Sequence, residues 1–201
     1  MLKTLIFDLG KVIVPFDFER GYRAMAGLTS LSPGEVRARV AATQTIVPYE
    51  TGAIGTPEFV RIIGQALGHE FAVDHFQRLW SAIFLPDALL PESLFAALKE
   101  RYRLVLLSNT NDLHFRFIHE RYPHLGHFDE YVLSHEVKAA KPDPRIYAAA
   151  IRAAQCEPGQ CFFTDDIPDY VAGARAAGIR AVQFQGYVPL LASLREHGVD
   201  I

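Results

Sequence analysis

The chain has 201 residues, half of them apolar, and a formal net charge of −3. That length can bury one good hydrophobic core and a smaller second one. A charge so close to neutral makes nucleic acid and anionic membranes poor candidates as partners, because both bind strongly basic proteins. The two cysteines, Cys156 and Cys161, are too few for a disulfide framework, and no apolar run is long enough to cross a membrane. Since Met1 to Asp8 also lack the apolar length of a signal peptide, we expect a globular protein in a reducing, cytoplasmic compartment.

The first predicted strand is the apolar run Leu2–Phe7, which ends at a single carboxylate, Asp8. An apolar run of this kind is typical of a strand that is buried on both faces, as in a parallel sheet. Ligands of such sheets gather at the carboxyl ends of the strands. Asp8 could there serve as a nucleophile, a metal ligand or both, while the alternative is that it only caps or turns the chain.

Residues from Phe16 to about Leu85 show helical spacing and no strand pattern. Ser32-Pro33-Gly34-Glu35 predicts a helix start with a capping box, and Thr56-Pro57-Glu58 predicts another start. Apolar residues then recur at helical spacing in two stripes, Phe59, Ile62, Ile63, Ala66 and Leu67, and later Phe76, Leu79, Trp80, Ile83 and Phe84. We interpret residues 16–85 as a separate helical insert whose aromatic residues pack in its own core.

Four more strands are predicted in the rest of the chain, and each alternates with a helical segment. They are Arg103–Leu107, Tyr131–Leu133, Cys161–Thr164 and Ile179–Phe184. Alternation of strands and helices is typical of a doubly wound parallel sheet of the α/β class. The predicted sheet domain therefore comprises residues 1–15 and 86–201, with the helical insert between them.

Polar side chains collect where these strands end: Asp8, then Ser108 and Asn109, then Lys141, then Asp165 and Asp166. Three carboxylates in one crevice repel one another unless positive charge lies among them. Mg²⁺ suits such a site because it prefers oxygen ligands and the phosphate of a substrate, whereas no His or Cys cluster has zinc-ligand spacing. With Mg²⁺ and Lys141 balancing the charge, a phosphate could approach Asp8. Ser108 and the amides around Asn109 could hold its oxygens, and Lys141 could stabilise charge in the transition state.

Read in order, these motifs resemble the haloacid dehalogenase-like superfamily over the whole chain. They are Phe7-Asp8-Leu9-Gly10, Leu107-Ser108-Asn109-Thr110-Asn111, Lys141-Pro142 and Phe163-Thr164-Asp165-Asp166. The chain is most similar to bacterial sugar-phosphate phosphatases of the α-D-glucose-1-phosphatase type, through Tyr49-Glu50-x-Gly52 and Lys141-Pro142-x-x-Arg145-Ile146-Tyr147 as well.

The resemblance implies a Rossmann-like core with residues 16–85 as an inserted helical cap. It also implies that Asp8 is the nucleophile that becomes an aspartyl phosphate and that Lys141 is the catalytic lysine. The residues of the Mg²⁺ site would be Asp8, the Gly10 carbonyl, Asp166 and Asp165. The substrate would be a small phosphorylated metabolite such as a hexose 1-phosphate, acted on by a monomer or homodimer.

Two positions depart from the family pattern. Gly10 stands where most phosphatases of the superfamily carry a second Asp as general acid and base, a function that typically contributes ~10²–10⁴-fold. Tyr170 stands where Asn or Asp is usual, and the adjacent Asp169 could substitute for that residue.

These departures keep two alternatives open. One is a metal-independent 2-haloacid dehalogenase, and the other is a weakly active phosphate-binding module. Asp17, Arg20, Tyr49 and Glu50 could reach the pocket from the insert, but such residues more often lie at surfaces or between helices. We therefore do not assign them to the site.

Overall fold

Five parallel strands form one sheet in the computed structural model, which describes residues 1–201. They are β1 (Thr4–Phe7), β2 (Arg103–Ser108), β3 (Glu130–Leu133), β4 (Cys161–Asp165) and β5 (Arg180–Gln183). The order in the sheet is β3-β2-β1-β4-β5, which places β1 in the middle and Asp8 between the ends of β2 and β4. The predicted doubly wound parallel sheet is confirmed, and each observed strand lies within two residues of its predicted bounds.

Residues 16–85 form helices and contribute no strand to the sheet. The helices are α1 (Phe18–Ala26), α2 (Pro33–Ala42), α3 (Ile46–Glu50), α4 (Thr56–Leu67) and α5 (Val73–Trp80). The predicted capping box is present at the start of α2, where Ser32 and Glu35 bond each other's backbone N–H groups. A cluster of eleven buried apolar residues fills this region, and all but Leu113 come from the insert itself.

The last predicted stripe of the insert ends earlier than its spacing suggested. The helix stops at Trp80, a short 3₁₀ turn covers Ser81–Ile83, and Phe84 is extended. The reason is that the returning chain pairs with the outgoing chain: Phe16 and Phe84 form an antiparallel bridge. The backbone N–H of Asp17 also donates to the Ile83 carbonyl at 2.9 Å. Two adjacent connections therefore join the helical region to the sheet.

Six further helices cover the sheet. They are α6 (Glu92–Lys99), α7 (Asp112–Arg121), α8 (Ser134–Val137), α9 (Pro144–Ala154), α10 (Pro168–Ala176) and α11 (Tyr187–Glu196). Leu5 and Phe7 of β1 pack in one apolar cluster with residues of α6, α7 and α11, while Ile6 packs in another with α9 and α10. Both faces of the sheet are therefore buried, as its uninterrupted apolar strands require.

No helix is long and apolar enough to cross a membrane. The two cysteines are free thiols whose Sγ atoms lie 3.5 Å apart. The division into residues 1–15 and 86–201 on one side and 16–85 on the other stays a prediction at the level of its boundaries.

Candidate active site

Lys141 is the centre of the charged network at the strand ends. Its side chain is almost completely buried, and its Nζ donates to Asp8 Oδ1 at 2.7 Å, to Asp165 Oδ2 at 2.6 Å and to the Leu107 carbonyl at 3.1 Å. Burial opposes the charge of the ammonium, but the two carboxylates outweigh that effect and raise the pKa of Lys141. The lysine therefore brings a fixed positive charge to the middle of the sheet edge.

Asp8 follows β1 and is only 7% exposed. Burial raises the pKa of Asp8 to about 7, although the Lys141 ammonium lowers it, and the nearby Asp165 carboxylate adds to the rise. Because Lys141 bonds Oδ1, Oδ2 is the oxygen that remains for attack on a substrate. More positive charge near Asp8 would favour the ionised form that a nucleophile needs.

Asp165 and Asp166 complete a cluster of three carboxylates with Asp8, in which one oxygen from each lies within 4.8 Å of the other two. Asp165 accepts from Lys141 and from the Ile167 backbone N–H at 2.9 Å, so both of its oxygens have partners. Burial, and then Asp165, raise the pKa of Asp166. One buried lysine does not balance three carboxylates. The donor set is entirely oxygen and carries surplus negative charge, which fits a divalent cation such as Mg²⁺.

Asn109 holds Lys141 in place from the end of β2. Its Nδ2 donates to the Lys141 carbonyl at 3.0 Å, and its Oδ1 accepts from the Lys141 backbone N–H at 2.7 Å. The Asn109 side chain is thus engaged with the backbone of Lys141, and the prediction that Asn109 helps to bind phosphate stays a prediction. Ser108, also predicted to bind phosphate, is 2% exposed and lines the cavity beside the site.

Tyr170, the second departure from the family pattern, lies against Lys141. The Lys141 Nζ is 5.1 Å from the centre of the Tyr170 ring, and the Tyr170 hydroxyl accepts from Asn109 Nδ2 at 3.3 Å. Asp169 is exposed and makes no hydrogen bond or ion pair with Lys141 or Asn109. Tyr170, and not Asp169, therefore supports the lysine, through an aromatic face and a hydrogen bond to its neighbour.

Gly10 is covered by an aromatic side chain. A Cβ atom at this position would lie only 2.9 Å from Cε1 of Phe16. The Phe16 ring is itself held by Phe18 and Phe84, with ring centroids 5.0 Å and 6.4 Å away. The space beside Asp8 that an acidic side chain at position 10 would need is filled by an apolar ring. The sequence showed that the acidic residue is absent at position 10, but it did not show that Phe16 fills the space of that side chain.

A cavity of about 190 Å³ opens between the helical region and the strand ends. It is at least about ten times the size that one water molecule needs on the same scale. Gly10, Ser108 and Asn109 lie in its wall beside the charged network, and most of the remaining wall is aromatic or aliphatic. Glu50 also lines the cavity, although sequence reasoning left it out of the site. The signal that could have identified it was its place in the Tyr49-Glu50-x-Gly52 motif.

Comparison with known proteins agrees with this geometry. A family model described as haloacid dehalogenase-like hydrolase matches residues 2–178. The chain is 27% identical over 173 residues to a D-ribitol-5-phosphate phosphatase of Bacteroides thetaiotaomicron, a match that covers 83% of this chain and 84% of that protein. It is 30% identical over 189 residues to a phosphatase of Mycobacterium tuberculosis, covering 90% and 86% of the two chains.

Solved structures give the same result. The crystal structure of an enzyme of this family from Bacteroides thetaiotaomicron, in complex with magnesium and inorganic phosphate, superposes with a TM-score of 0.79. It is 26% identical, and the match covers 92% of this chain and 96% of that one. An L-2-haloacid dehalogenase from Xanthobacter autotrophicus shares the fold, with a TM-score of 0.63 and 15% identity over 100% of this chain and 85% of that one.

Proposed function

The chain belongs to the haloacid dehalogenase-like hydrolases, and from that premise we propose that it is a Mg²⁺-dependent phosphatase acting on a small sugar phosphate through an aspartyl phosphate on Asp8. The observation that carries the proposal is the buried Lys141 bonded to Asp8 and Asp165, with Asp166 in the same carboxylate cluster. Relatives of similar length are phosphatases, and one related structure holds magnesium and phosphate.

In this proposal Asp8, Asp166 and the Gly10 carbonyl would hold Mg²⁺, with Asp165 at the edge of the cluster. The ion would supply positive charge that screens the incoming phosphate dianion from the carboxylates. Asp165 holds Lys141 through its 2.6 Å bond and so keeps the ammonium beside Asp8, where its charge would stabilise the transition state. Ser108, the last residue of β2, would donate to a phosphate oxygen, and the positive N-terminus of α7 follows it in the chain.

Asp8 Oδ2 would attack phosphorus in line as the bond from phosphorus to the ester oxygen breaks. Water then hydrolyses the aspartyl phosphate and releases inorganic phosphate. No carboxyl group at position 10 protonates the departing oxygen, and the Phe16 ring occupies that space. The enzyme should therefore favour leaving groups that are less basic than a simple alcohol, such as an anomeric sugar oxygen. We expect higher kcat/KM for glucose 1-phosphate than for glucose 6-phosphate, and the reverse order would contradict this account of the leaving group.

Replacing the nucleophile tests the proposal. Asp8→Asn should lower phosphatase activity by at least roughly a thousandfold, since removal of a covalent nucleophile has effects of that size or larger. EDTA should abolish wild-type activity, and added Mg²⁺ should restore it. Asp74→Asn, a change at an exposed carboxylate of α5, is the matched control and should keep full activity. Near-normal turnover by Asp8→Asn, or activity indifferent to EDTA, would contradict the assignment.

A metal-independent dehalogenase is the second candidate, favoured by the apolar cover over Gly10. The surplus of carboxylates argues against it, because a carbon–halogen substrate gives no reason to gather three of them around one lysine. Halide release from 2-chloropropionate in the presence of EDTA would favour this candidate over the phosphatase.

A further inference from the structure

Tyr49 and Gly52 of the Tyr49-Glu50-x-Gly52 motif have structural roles. The Tyr49 ring stacks on Phe59 at 4.1 Å, and its hydroxyl accepts from the Leu113 backbone N–H at 3.3 Å. Gly52 has φ +62°, and a Cβ there would lie 2.1 Å from the His135 carbonyl oxygen. Only glycine fits so close to another backbone. These contacts explain Tyr49 and Gly52 by packing alone, but they do not explain Glu50.

The backbone around Glu50 is fastened to the sheet domain. The Glu50 carbonyl accepts from Ser134 Oγ at 2.6 Å, and the Gly52 carbonyl accepts from Lys138 Nζ at 2.6 Å. Ser134 Oγ also bonds the backbone of Thr110, in the loop that follows β2. Glu50 therefore belongs to the helical region by sequence, but its position is set by the loops that carry the active site.

The Glu50 carboxyl has no hydrogen-bond or ion-pair partner within the protein. Burial raises the pKa of Glu50. The carboxyl is not part of the Asp8, Asp165 and Asp166 cluster and bonds neither Asp8 nor Lys141, although Glu50 lines the same cavity as Gly10 and Ser108. A half-buried carboxylate that faces an enclosed cavity without a protein partner is available to accept hydrogen bonds from a ligand.

The wall around Glu50 offers few other polar groups. Phe16, Tyr22, Trp80 and Phe84 contribute aromatic surface to the cavity. Sites of this kind bind the apolar faces of a ligand on their rings and use a few placed polar groups to fix its orientation. A sugar ring combines C–H faces with hydroxyl donors, so it can satisfy both the rings and the single carboxylate.

We propose that Glu50 determines specificity by accepting hydrogen bonds from hydroxyl groups of the sugar, at the end of the leaving group remote from phosphorus. This inference rests on the proposed phosphatase function and deepens it. Hydrogen bonds to charged groups are stronger than neutral ones. Their loss should weaken binding of a hydroxylated leaving group about ten- to a hundredfold, with no such effect on a leaving group that lacks hydroxyls.

The test uses two ligands of matched ring size, glucose 1-phosphate and cyclohexyl phosphate, which lacks hydroxyl groups. Binding is measured by calorimetry with Mg²⁺ in the Asp8→Asn protein, so the result does not depend on turnover. Glu50→Gln and Glu50→Leu in that background should reduce the preference for glucose 1-phosphate over cyclohexyl phosphate at least tenfold. Glu58→Gln, at an exposed position of α4, is the matched control and should keep the parental preference.

Three results would overturn the inference. The first is an unchanged preference in both Glu50 variants. The second is equal weakening of both ligands, which would indicate a general structural role. The third is a loss of turnover when Glu50→Gln is made in the protein that keeps Asp8, while binding in the Asp8→Asn background is unchanged. That result would indicate that Glu50 donates a proton. Failure of the phosphatase proposal is recognised separately, as wild-type protein that binds the sugar phosphate without hydrolysing any phosphomonoester.

Discussion

His114 should make the stability of the protein sensitive to mild acid. It lies in the first turn of α7, where its Nδ1 accepts from Asn111 Nδ2 at 3.2 Å and its Nε2–H donates to the Trp80 carbonyl at 3.1 Å. The Asn111 orientation is fixed because its Oδ1 accepts from the His114 backbone N–H at 3.1 Å. A second proton on the ring would therefore face a donor at Nδ1. The neutral ring fits this site, and the imidazolium does not.

The size of the effect follows from the pKa of the histidine. Burial lowers the pKa of His114 from 6.5 to about 4, and the bond to the Trp80 carbonyl opposes that change only in part. Because the folded protein binds this proton less readily than the unfolded chain, stability is present above pH 6.5 and is lost as the pH falls towards 4. Linkage gives a loss of about 2 kcal/mol between pH 7 and pH 5, and about 3 kcal/mol in full.

Urea unfolding of wild-type protein and His114→Gln at pH 7 and pH 5 measures the effect. Glutamine can serve both bonded neighbours but does not titrate. Asp8 and Glu50, whose pKa values are raised by burial, stabilise the fold on acidification, so the informative quantity is the difference between the two proteins. His114→Gln should lose about 2 kcal/mol less than wild type, while His119→Gln, an exposed site on the same helix, should follow wild type. Equal losses in wild type and His114→Gln would refute the reasoning.

Two further predictions concern glycines near the cavity. Gly52→Ala should lower the free energy of unfolding by more than about 2 kcal/mol, because the new methyl group both strains a left-handed backbone and clashes with the His135 carbonyl. Gly68→Ala is the control, since Gly68 has φ +69° but open space around it. It should show the effect of the backbone strain alone. Urea unfolding compares the two. Gly10→Asp alone should give little gain because of Phe16, whereas Gly10→Asp with Phe16→Ala should raise kcat on glucose 6-phosphate, up to the ~10²–10⁴-fold of a general acid. No gain in the double variant over Phe16→Ala would argue against the missing-acid explanation.

The sheet could be predicted from sequence because each strand is a local signal. Residues 104–107, for example, are all apolar and do not alternate with polar residues. This pattern is typical of a strand that is buried on both faces. The early end of α5 could not be predicted, since the residues from Ser81 to Phe84 continue the helical spacing. The pairing of Phe84 with Phe16 overrides that local preference, and this contact joins segments far apart in sequence.

The charged residues of the site could also be predicted, because parallel strands bring their carboxyl ends to one edge whatever else the chain does. What each side chain does there depends on contacts that spacing does not encode. The Asn109 side chain bonds the backbone of Lys141. Tyr170 lies against Lys141 and bonds Asn109, the supporting role for which Asp169 was considered. Glu50 lies at the cavity because its carbonyl bonds Ser134, a residue 84 positions away in sequence, and spacing does not predict such a contact.

The side chain that covers Gly10 belongs to the connection between the two parts of the fold. Phe16 pairs with Phe84, and the carbonyl of Pro15 accepts from the Leu85 backbone N–H at 3.0 Å, so the two connections run side by side and the Phe16 ring lies over Gly10. If the helical region moves relative to the sheet, the backbone of these paired segments must change. Because Phe16 belongs to them, such a movement would also shift the ring that covers Gly10. Glu50, in contrast, is fastened to the loops of the sheet domain. One wall of the cavity therefore belongs to the connection and another is held by the active-site loops, and in the proposed function the leaving group would lie between them.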